Sequence, residues 1–173
     1  MEEYFKKADE IGLEKHLDEV AESFKKRTKP SKAPNNLAKP KGTATRISKK
    51  ADIETKTSLE LENETADILA KNGFDIEQNP TIRDTTREPD YLIEGKVFDC
   101  YAPFEKNKKV RNVWSEVEKK VVIRQTKRVV INFKNWEGDV SKLQQQFMDW
   151  NIEGLEEVMY VSKEGKIDYI TLK

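Results

Sequence analysis

Two aspartates, Asp90 and Asp99, lie on either side of a turn signal at Glu94-Gly95-Lys96. Apolar runs rich in β-forming residues flank the turn, so the stretch 88–103 predicts a β-hairpin. An acid within an apolar strand is disfavoured unless a charge, a metal ion or hydrogen bonds compensate it. Because neighbouring carboxylates repel each other, a cation between Asp90 and Asp99 is the simplest compensation. The alternative is that Asp90 caps the strand and Asp99 points to solvent.

A third acid is indicated by the helix that the periodicity predicts over 58–72. At about 100° per residue, Glu62 lies beside Leu69 on the edge of the apolar stripe and faces the body of the protein. Glu64 is the alternative if the helix begins in a different phase. A glutamate that only pairs with a lysine at the rim of the interface also fits this position. The buried stripe consists of Leu61, Thr65, Ile68 and Leu69.

A basic candidate comes from the helix predicted over 110–126. Lys120 flanks the apolar stripe of this helix and Gln125 flanks its other side, so both could reach a site at the edge of the core. Lys119 falls opposite the stripe and is expected to point to water. The alternative is that Lys120 and Gln125 only extend along the helix border to keep their polar ends in water.

Together these side chains could meet at one end of a sheet and hydrolyse phosphodiesters. Carboxylate oxygens of Asp90, Asp99 and Glu62 suit Mg²⁺ or Mn²⁺, with Zn²⁺ as a further candidate. Such an ion polarises a phosphoryl oxygen and lowers the pKa of a bound water, while Lys120 stabilises the developing negative charge. Gln125 is a plausible further site residue.

Composition excludes several other classes of site. The chain of 173 residues has one cysteine, Cys100, and one histidine, His16. A disulfide framework and a multi-cysteine zinc site are therefore excluded, and Ser-His or Cys-His catalysis is disfavoured. No apolar run reaches membrane-spanning length and no signal-peptide pattern is visible, so we expect a soluble chain without membrane association. The 32 basic and 32 acidic residues give zero net charge, which does not by itself indicate a nucleic-acid binder.

The remaining elements predict an α/β fold with a mixed β-sheet sandwiched by helices. The run 129–133 is apolar except for Asn132, which is typical of a central parallel strand buried on both faces. A short strand is predicted over 74–78, a helix over 140–150 with Leu143, Phe147 and Trp150 inward, and a second hairpin over 157–172.

Three segments are predicted along the chain: a helical segment 1–27, a basic linker 28–57 and a catalytic domain 58–173. No acidic residue occurs between Ser23 and Ala51, where ten lysines and arginines and three prolines lie. This composition is typical of a solvated tether, and it also suits an arm that follows the phosphates of a nucleic acid.

Several stretches together resemble the C-terminal tRNA-nuclease domain of contact-dependent growth inhibition (CdiA-type) toxins. The similarity covers roughly residues 58–173. It is carried by Glu62-Asn63-Glu64, by 73–80, by Pro89-Asp90-Tyr91, by 95–103, and by Gln125 with 128–132.

The resemblance implies a PD-(D/E)XK restriction-endonuclease-like core and metal-dependent cleavage of tRNA. It also implies inhibition by a cognate immunity protein and action in the cytoplasm of a target cell. We expect the domain to be a monomer. The alternatives are a DNA endonuclease of the same fold and a protein-binding module without catalysis.

The resemblance assigns the site residues of that family to positions of this chain, and one position differs from the motif of the family. Asp90 and Asp99 fit the two metal-binding acids, and Glu62 fits the acid on the first helix. The lysine of the motif would stand at position 101, where this chain has Tyr101. Lys120, from the following helix, is the residue that we expect to replace it, on the basis of periodicity.

Overall fold

The computed structural model describes residues 15, 17, 18, 21, 22, 26–83, 87–124 and 126–173. The predicted segment 1–27 lies mostly outside these residues, as does His16, and the described residues before position 27 are helical. From residue 28 onward the helices are α1 (Ile53–Lys71), α2 (Val110–Arg124) and α3 (Val140–Asp149). The strands are β1 (Lys41–Gly42), β2 (Ile76–Gln78), β3 (Tyr91–Ile93), β4 (Lys96–Tyr101), β5 (Arg128–Asn132), β6 (Glu157–Val161) and β7 (Ile167–Ile170). No helix of the described part is long and apolar enough to cross a bilayer.

Within the described residues these strands form one mixed seven-stranded sheet in the order β1-β2-β3-β4-β5-β6-β7. β4, β5 and β6 run parallel, as do β1 and β2, and the other neighbours are antiparallel. The prediction of a central parallel strand after α2 is confirmed, since β5 pairs in parallel with strands on both sides.

Helices cover both faces of the sheet, as the sequence predicts. Val129 and Ile131 of β5 pack with the apolar stripes of α2 and α3. Val130, on the opposite face of the same strand, packs with Ala66 and Leu69 of α1. The alternation of side chains along β5 therefore divides the core into two layers.

The hairpin forms where it is predicted. Glu94 and Gly95 occupy the turn with φ of 49° and 77°. Two successive positive φ values are those of a type I′ turn, whose twist matches that of the flanking strands. The register places Tyr91 opposite Phe98 and Ile93 opposite Lys96.

α1 begins earlier than predicted, at Ile53 instead of residue 58. The Asp52 carboxylate caps the helix by accepting a hydrogen bond from the Thr55 backbone N–H at 2.7 Å. The first turns bury no apolar side chain, and Ile53 is 71% exposed, so periodicity carries no signal there. The predicted boundary between residues 57 and 58 falls inside this helix.

Residues 28–52 pack against the domain and are not a free linker. Lys32 donates its backbone N–H to the Gly73 carbonyl at 3.0 Å, and Asn35 donates to the Lys71 carbonyl at 2.9 Å. Gly73 has φ of 90°, and a Cβ atom there would lie 2.1 Å from the Lys32 carbonyl oxygen, so only glycine permits this close approach. Further along, β1 adds a parallel strand to β2.

Trp150 corrects one prediction about α3. Leu143 and Phe147 are buried as expected, but Trp150 is 44% exposed. It lies just after the helix ends, where its ring and that of Trp114 form a T-shaped pair at a centroid distance of 5.3 Å. The helical phase that predicts it inward no longer applies at this position.

Candidate active site

The hairpin brings Asp90 and Asp99 together. Because Tyr91 pairs with Phe98, the preceding Asp90 lies beside Asp99 at the open end of the hairpin. Asp90 Oδ2 accepts a hydrogen bond from the Cys100 backbone N–H at 2.8 Å. Asp99 is only 2% exposed, so the interpretation that it points to solvent is wrong.

Asp99 is incompletely neutralised within the described part of the chain. Its Oδ1 accepts no hydrogen bond there. Its ion-pair partner is Arg124, whose Nη2 lies 3.5 Å from Oδ1 and also donates to the Glu88 carbonyl at 3.1 Å. A buried carboxylate oxygen with one loose cationic partner is costly unless it also serves a ligand.

Glu62 faces the protein interior, as predicted, and is 9% exposed. Its Oε1 accepts a hydrogen bond from the Thr45 hydroxyl at 3.0 Å. The pKa of the Glu62 carboxyl is raised to about 7, first by burial and then by the neighbouring Asp90 carboxylate, while the Thr45 hydroxyl and Lys120 act in the opposite direction. Close to neutral pH, Glu62 therefore exchanges a proton readily.

The pKa of Asp90 is raised as well, first by burial. The Cys100 N–H opposes this shift, the Asp99 carboxylate adds to it, and Arg124 and Lys120 oppose it. Asp90 therefore lies within electrostatic reach of Glu62, Asp99, Lys120 and Arg124. The structure thus places Asp90 among the other three side chains that the sequence selects, at one end of the β3–β4 hairpin.

Two clefts open at this end of the sheet. One, of about 260 Å³, is lined by Glu62 and Lys120, with Ser58 on α1 and Tyr101 at the end of β4. The other, of about 220 Å³, is lined by Asp99 and Arg124. Glu62 is therefore open to one cleft and Asp99 to the other.

The donor set fits a cation held by two carboxylates better than one held by three. Among the described residues, no group of three or more acidic, histidine or cysteine side chains is arranged to hold a metal ion. Mg²⁺ typically takes one or two carboxylates, several waters and substrate phosphates. Asp90 with the unbonded Oδ1 of Asp99 suits that pattern. Ligation by Asp90, Asp99 and Glu62 together stays a prediction.

The structure distinguishes Lys120 from Lys119 on α2 and Glu62 from Glu64 on α1. Lys119 is exposed and pairs with Glu116 at 3.1 Å, whereas Lys120 is half-buried and lines the cleft with Glu62. Glu64, the alternative acid, instead pairs with Lys134 at 2.9 Å. Gln125 lies outside the described residues, so its role also stays a prediction.

Two residues of the site are absent from the sequence-based selection. Arg124 lies one helical turn after Lys120, and the i, i+4 spacing places both on one side of α2, a signal that could have identified it. Thr45 offers no such signal, since it lies in the segment whose composition predicts a tether.

Comparison with known proteins agrees with the resemblance seen in the sequence. The model of the family described as contact-dependent growth inhibition CdiA C-terminal domain matches residues 87–167. The tRNA nuclease CdiA-2 of Burkholderia pseudomallei (strain 1026b) is 36% identical over 132 residues, which are 76% of this chain. That stretch is 4% of the length of the relative, so the chain corresponds to a small part of it.

A solved structure agrees with the fold as well. It is described as a CdiA-CT/CdiI toxin and immunity complex from Burkholderia pseudomallei. The matching chain is 34% identical with a TM-score of 0.72, and the match covers 77% of this chain and 98% of that one. The chain therefore belongs to the family of CdiA C-terminal domains of contact-dependent growth inhibition.

Proposed function

We propose that this chain is a metal-dependent endoribonuclease that hydrolyses phosphodiester bonds in tRNA and thereby inhibits the growth of target cells. The observation that carries the proposal is the position of Asp90, which lies beside Asp99 at the hairpin end and within electrostatic reach of Glu62 and Lys120, the two residues that line the adjoining cleft. The name of the relative, tRNA nuclease, supports tRNA as the substrate.

Each side chain has a distinct part in the proposed reaction. When bound by Asp90 and Asp99, Mg²⁺ or Mn²⁺ would supply Lewis-acid polarisation of the scissile phosphate and a more acidic water. The Cys100 N–H fixes the Asp90 carboxylate. Lys120 places a positive charge where negative charge develops on the phosphate. Glu62, whose pKa is about 7, accepts or holds a proton of the attacking water near neutral pH.

A PD-(D/E)XK-like core is part of the same proposal. The support is a hairpin that carries both acids, followed by a helix and a parallel strand. Tyr101 stands where that motif has its lysine, and a phenol carries no positive charge in either protonation state. Burial raises the pKa of its hydroxyl well above the usual range, so the side chain stays neutral. Lys120 supplies the positive charge from α2 instead.

The partners follow from the same family. The solved complex contains a toxin and an immunity protein. We accordingly expect a cognate immunity protein to neutralise this domain, a monomeric active form, and action in the cytoplasm of the target cell. Purified immunity protein, added at equal concentration, should abolish cleavage.

The direct test is incubation of the purified chain with a total tRNA pool in Mg²⁺, Mn²⁺ or Zn²⁺, followed by mapping of the fragment ends. We expect cleavage that chelation of the metal abolishes. Plasmid DNA in parallel reactions separates a ribonuclease from a DNA endonuclease of the same fold. Intact tRNA in all three metals, together with no metal effect on thermal unfolding, would instead indicate a protein-binding module, because a ligand at a hundredfold excess over its Kd stabilises a fold by about 3 kcal/mol.

A further inference from the structure

Residues 43–51, here named the basic strap, connect β1 to α1 and are fixed beside the active site. The Thr45 backbone N–H donates to Asn63 Oδ1 at 2.8 Å, and Asn63 Nδ2 donates to the Thr45 carbonyl at 3.0 Å. Asn79 Nδ2 donates to the Thr43 carbonyl at 2.7 Å. The strap begins beside Glu62, in the middle of α1, and ends where Asp52 caps that helix. Its two ends therefore meet α1 at points about 14 Å apart, at 1.5 Å per residue.

The Thr45 hydroxyl links the strap to the catalytic acids. Its oxygen accepts a hydrogen bond from Asn79 Nδ2 at 3.0 Å. The hydroxyl in turn donates to Glu62 Oε1 at 3.0 Å. Because the donor on its other side is an amide N–H, the hydroxyl proton is directed towards the glutamate. The orientation of the Glu62 carboxylate thus depends on the position of the strap.

The strap also adds positive charge beside a cleft in which acidic side chains outnumber basic ones. Glu54, Glu62 and Glu116 line the cleft together with Lys108 and Lys120, so the cleft by itself offers a polyanionic substrate no excess of positive charge. Arg46, Lys49 and Lys50 of the strap are exposed. Within the described residues none of the three forms an ion pair. With zero net charge on the whole chain, attraction of RNA must come from such a local surface.

We propose that the basic strap binds the phosphate backbone of the RNA substrate along the α1 side of the cleft, and that Thr45 is a positioning residue that orients Glu62. The proposal rests on the proposed function and adds a binding element and its link to the acid. Thr45 is held by Asn63 without any ligand, so the phosphate contacts at Arg46, Lys49 and Lys50 affect binding and the Thr45 hydroxyl affects turnover.

The binding part is tested with the triple variant Arg46→Gln/Lys49→Gln/Lys50→Gln. We expect the KM for tRNA to rise about tenfold with kcat within about twofold of the unaltered protein. The slope of log(kcat/KM) against log[salt] should become shallower by about 2–3, since each lost phosphate contact removes about 0.7–0.9. The matched control Lys142→Gln/Lys163→Gln/Lys166→Gln removes three exposed charges on α3 and the β6–β7 turn, and should change neither KM nor slope.

The positioning part is tested with Thr45→Val, which keeps the shape and removes the hydroxyl. We expect kcat to fall at least about tenfold with KM unchanged, and Thr45→Ser to restore kcat to within about threefold. A merely structural role would lower the thermal stability of Thr45→Val and would not separate kcat from KM.

The outcomes distinguish this proposal from the proposed function. If the unaltered chain cleaves no tRNA, the proposed function fails. Binding can still be measured in that case by fluorescence anisotropy of labelled tRNA, comparing Asp99→Asn with the same protein that also carries Arg46→Gln/Lys49→Gln/Lys50→Gln. If the unaltered chain cleaves tRNA but the strap triple and the control triple have equal KM, the strap is not a binding element. A Thr45→Val variant that is folded and retains full kcat would overturn the positioning role.

Discussion

At the scale of single residues, the environment of Asp99 indicates that this side chain serves function and does not contribute to stability. The carboxylate is buried, one oxygen accepts no hydrogen bond in the described structure, and Arg124 contacts that oxygen at 3.5 Å from a partly exposed position. Removing a charge from such a site relieves an uncompensated burial cost. A residue retained for stability alone would have complete partners, as Glu157 has in Thr28.

Asp99→Asn is therefore expected to abolish activity without loss of the fold. The amide keeps the shape of the side chain but loses the charge that holds a cation, so we expect tRNA cleavage to fall at least about 100-fold. The melting temperature of the metal-free protein should stay the same or rise, and Mg²⁺ should no longer raise it. Cleavage assays and thermal unfolding with and without Mg²⁺ measure both effects.

Asp67→Asn is the matched control, because it makes the same chemical change at an exposed position on α1. It should leave cleavage and the Mg²⁺ response unaltered. Substantial cleavage by a folded Asp99→Asn variant would exclude Asp99 from the reaction.

At the scale of elements, prediction succeeded where side-chain periodicity is tied to burial. Five residues are predicted to form the apolar stripe of α2, and four of them, Val113, Trp114, Val117 and Val121, are buried, while Val110 at the start of the helix is half-buried. This stripe fixes the phase that separates Lys119 from Lys120. The first two turns of α1 could not be predicted in the same way, because nothing apolar is buried there. Thr45 was missed for a related reason: its contacts to Glu62 and Asn63 are polar and come from an irregular segment.

The orientation of α2 gives a prediction for Lys120, for which the neighbouring Lys119 serves as the control. Lys120→Ala removes the charge that lines the cleft with Glu62, and we expect kcat to fall about 100-fold or more. Lys119→Ala removes only an exposed ion pair with Glu116, worth about 0–1 kcal/mol, and should leave kcat within about twofold. Steady-state kinetics on tRNA compare the two variants. Equal loss in both would mean that general positive charge on α2, and not a placed lysine, supports cleavage.

At the scale of the whole molecule, residues 28–52 join distant parts of the sheet. Thr28 binds Glu157 at the start of β6, Lys32 binds the Gly73 carbonyl after α1, and β1 extends the sheet at the far edge. The packing of residues 28–52 could not be predicted from the sequence, since the partners of this segment lie far along the chain and its composition is that of a tether. The basic strap is placed beside Glu62 because these preceding residues are held.

The Thr28–Glu157 contact makes this arrangement testable through pH. Glu157 accepts hydrogen bonds from the Thr28 backbone N–H and hydroxyl, each at 2.7 Å. Burial raises the pKa of the Glu157 carboxyl above its ordinary value of 4.5, although the Thr28 donors, Lys96 and Arg128 oppose the shift. The folded state therefore binds this proton more tightly than the unfolded state. The free energy of unfolding should rise as the pH falls from above the raised pKa towards 4.5, and this contribution should level off below it.

Glu157→Gln isolates this effect, because the amide oxygen still accepts from the Thr28 N–H but does not titrate. We expect this variant to be at least as stable as the unaltered protein at pH 7.5, and the unaltered protein to gain stability relative to it at pH 5.0. Glu157→Ala leaves the Thr28 N–H without an acceptor and should lose about 1–3 kcal/mol at both pH values. Urea unfolding of the three proteins measures these differences. Parallel pH dependence of the unaltered protein and Glu157→Gln would show that this carboxyl keeps its ordinary pKa. Unchanged stability of Glu157→Ala would show that the contact with Thr28 does not hold residues 28–52.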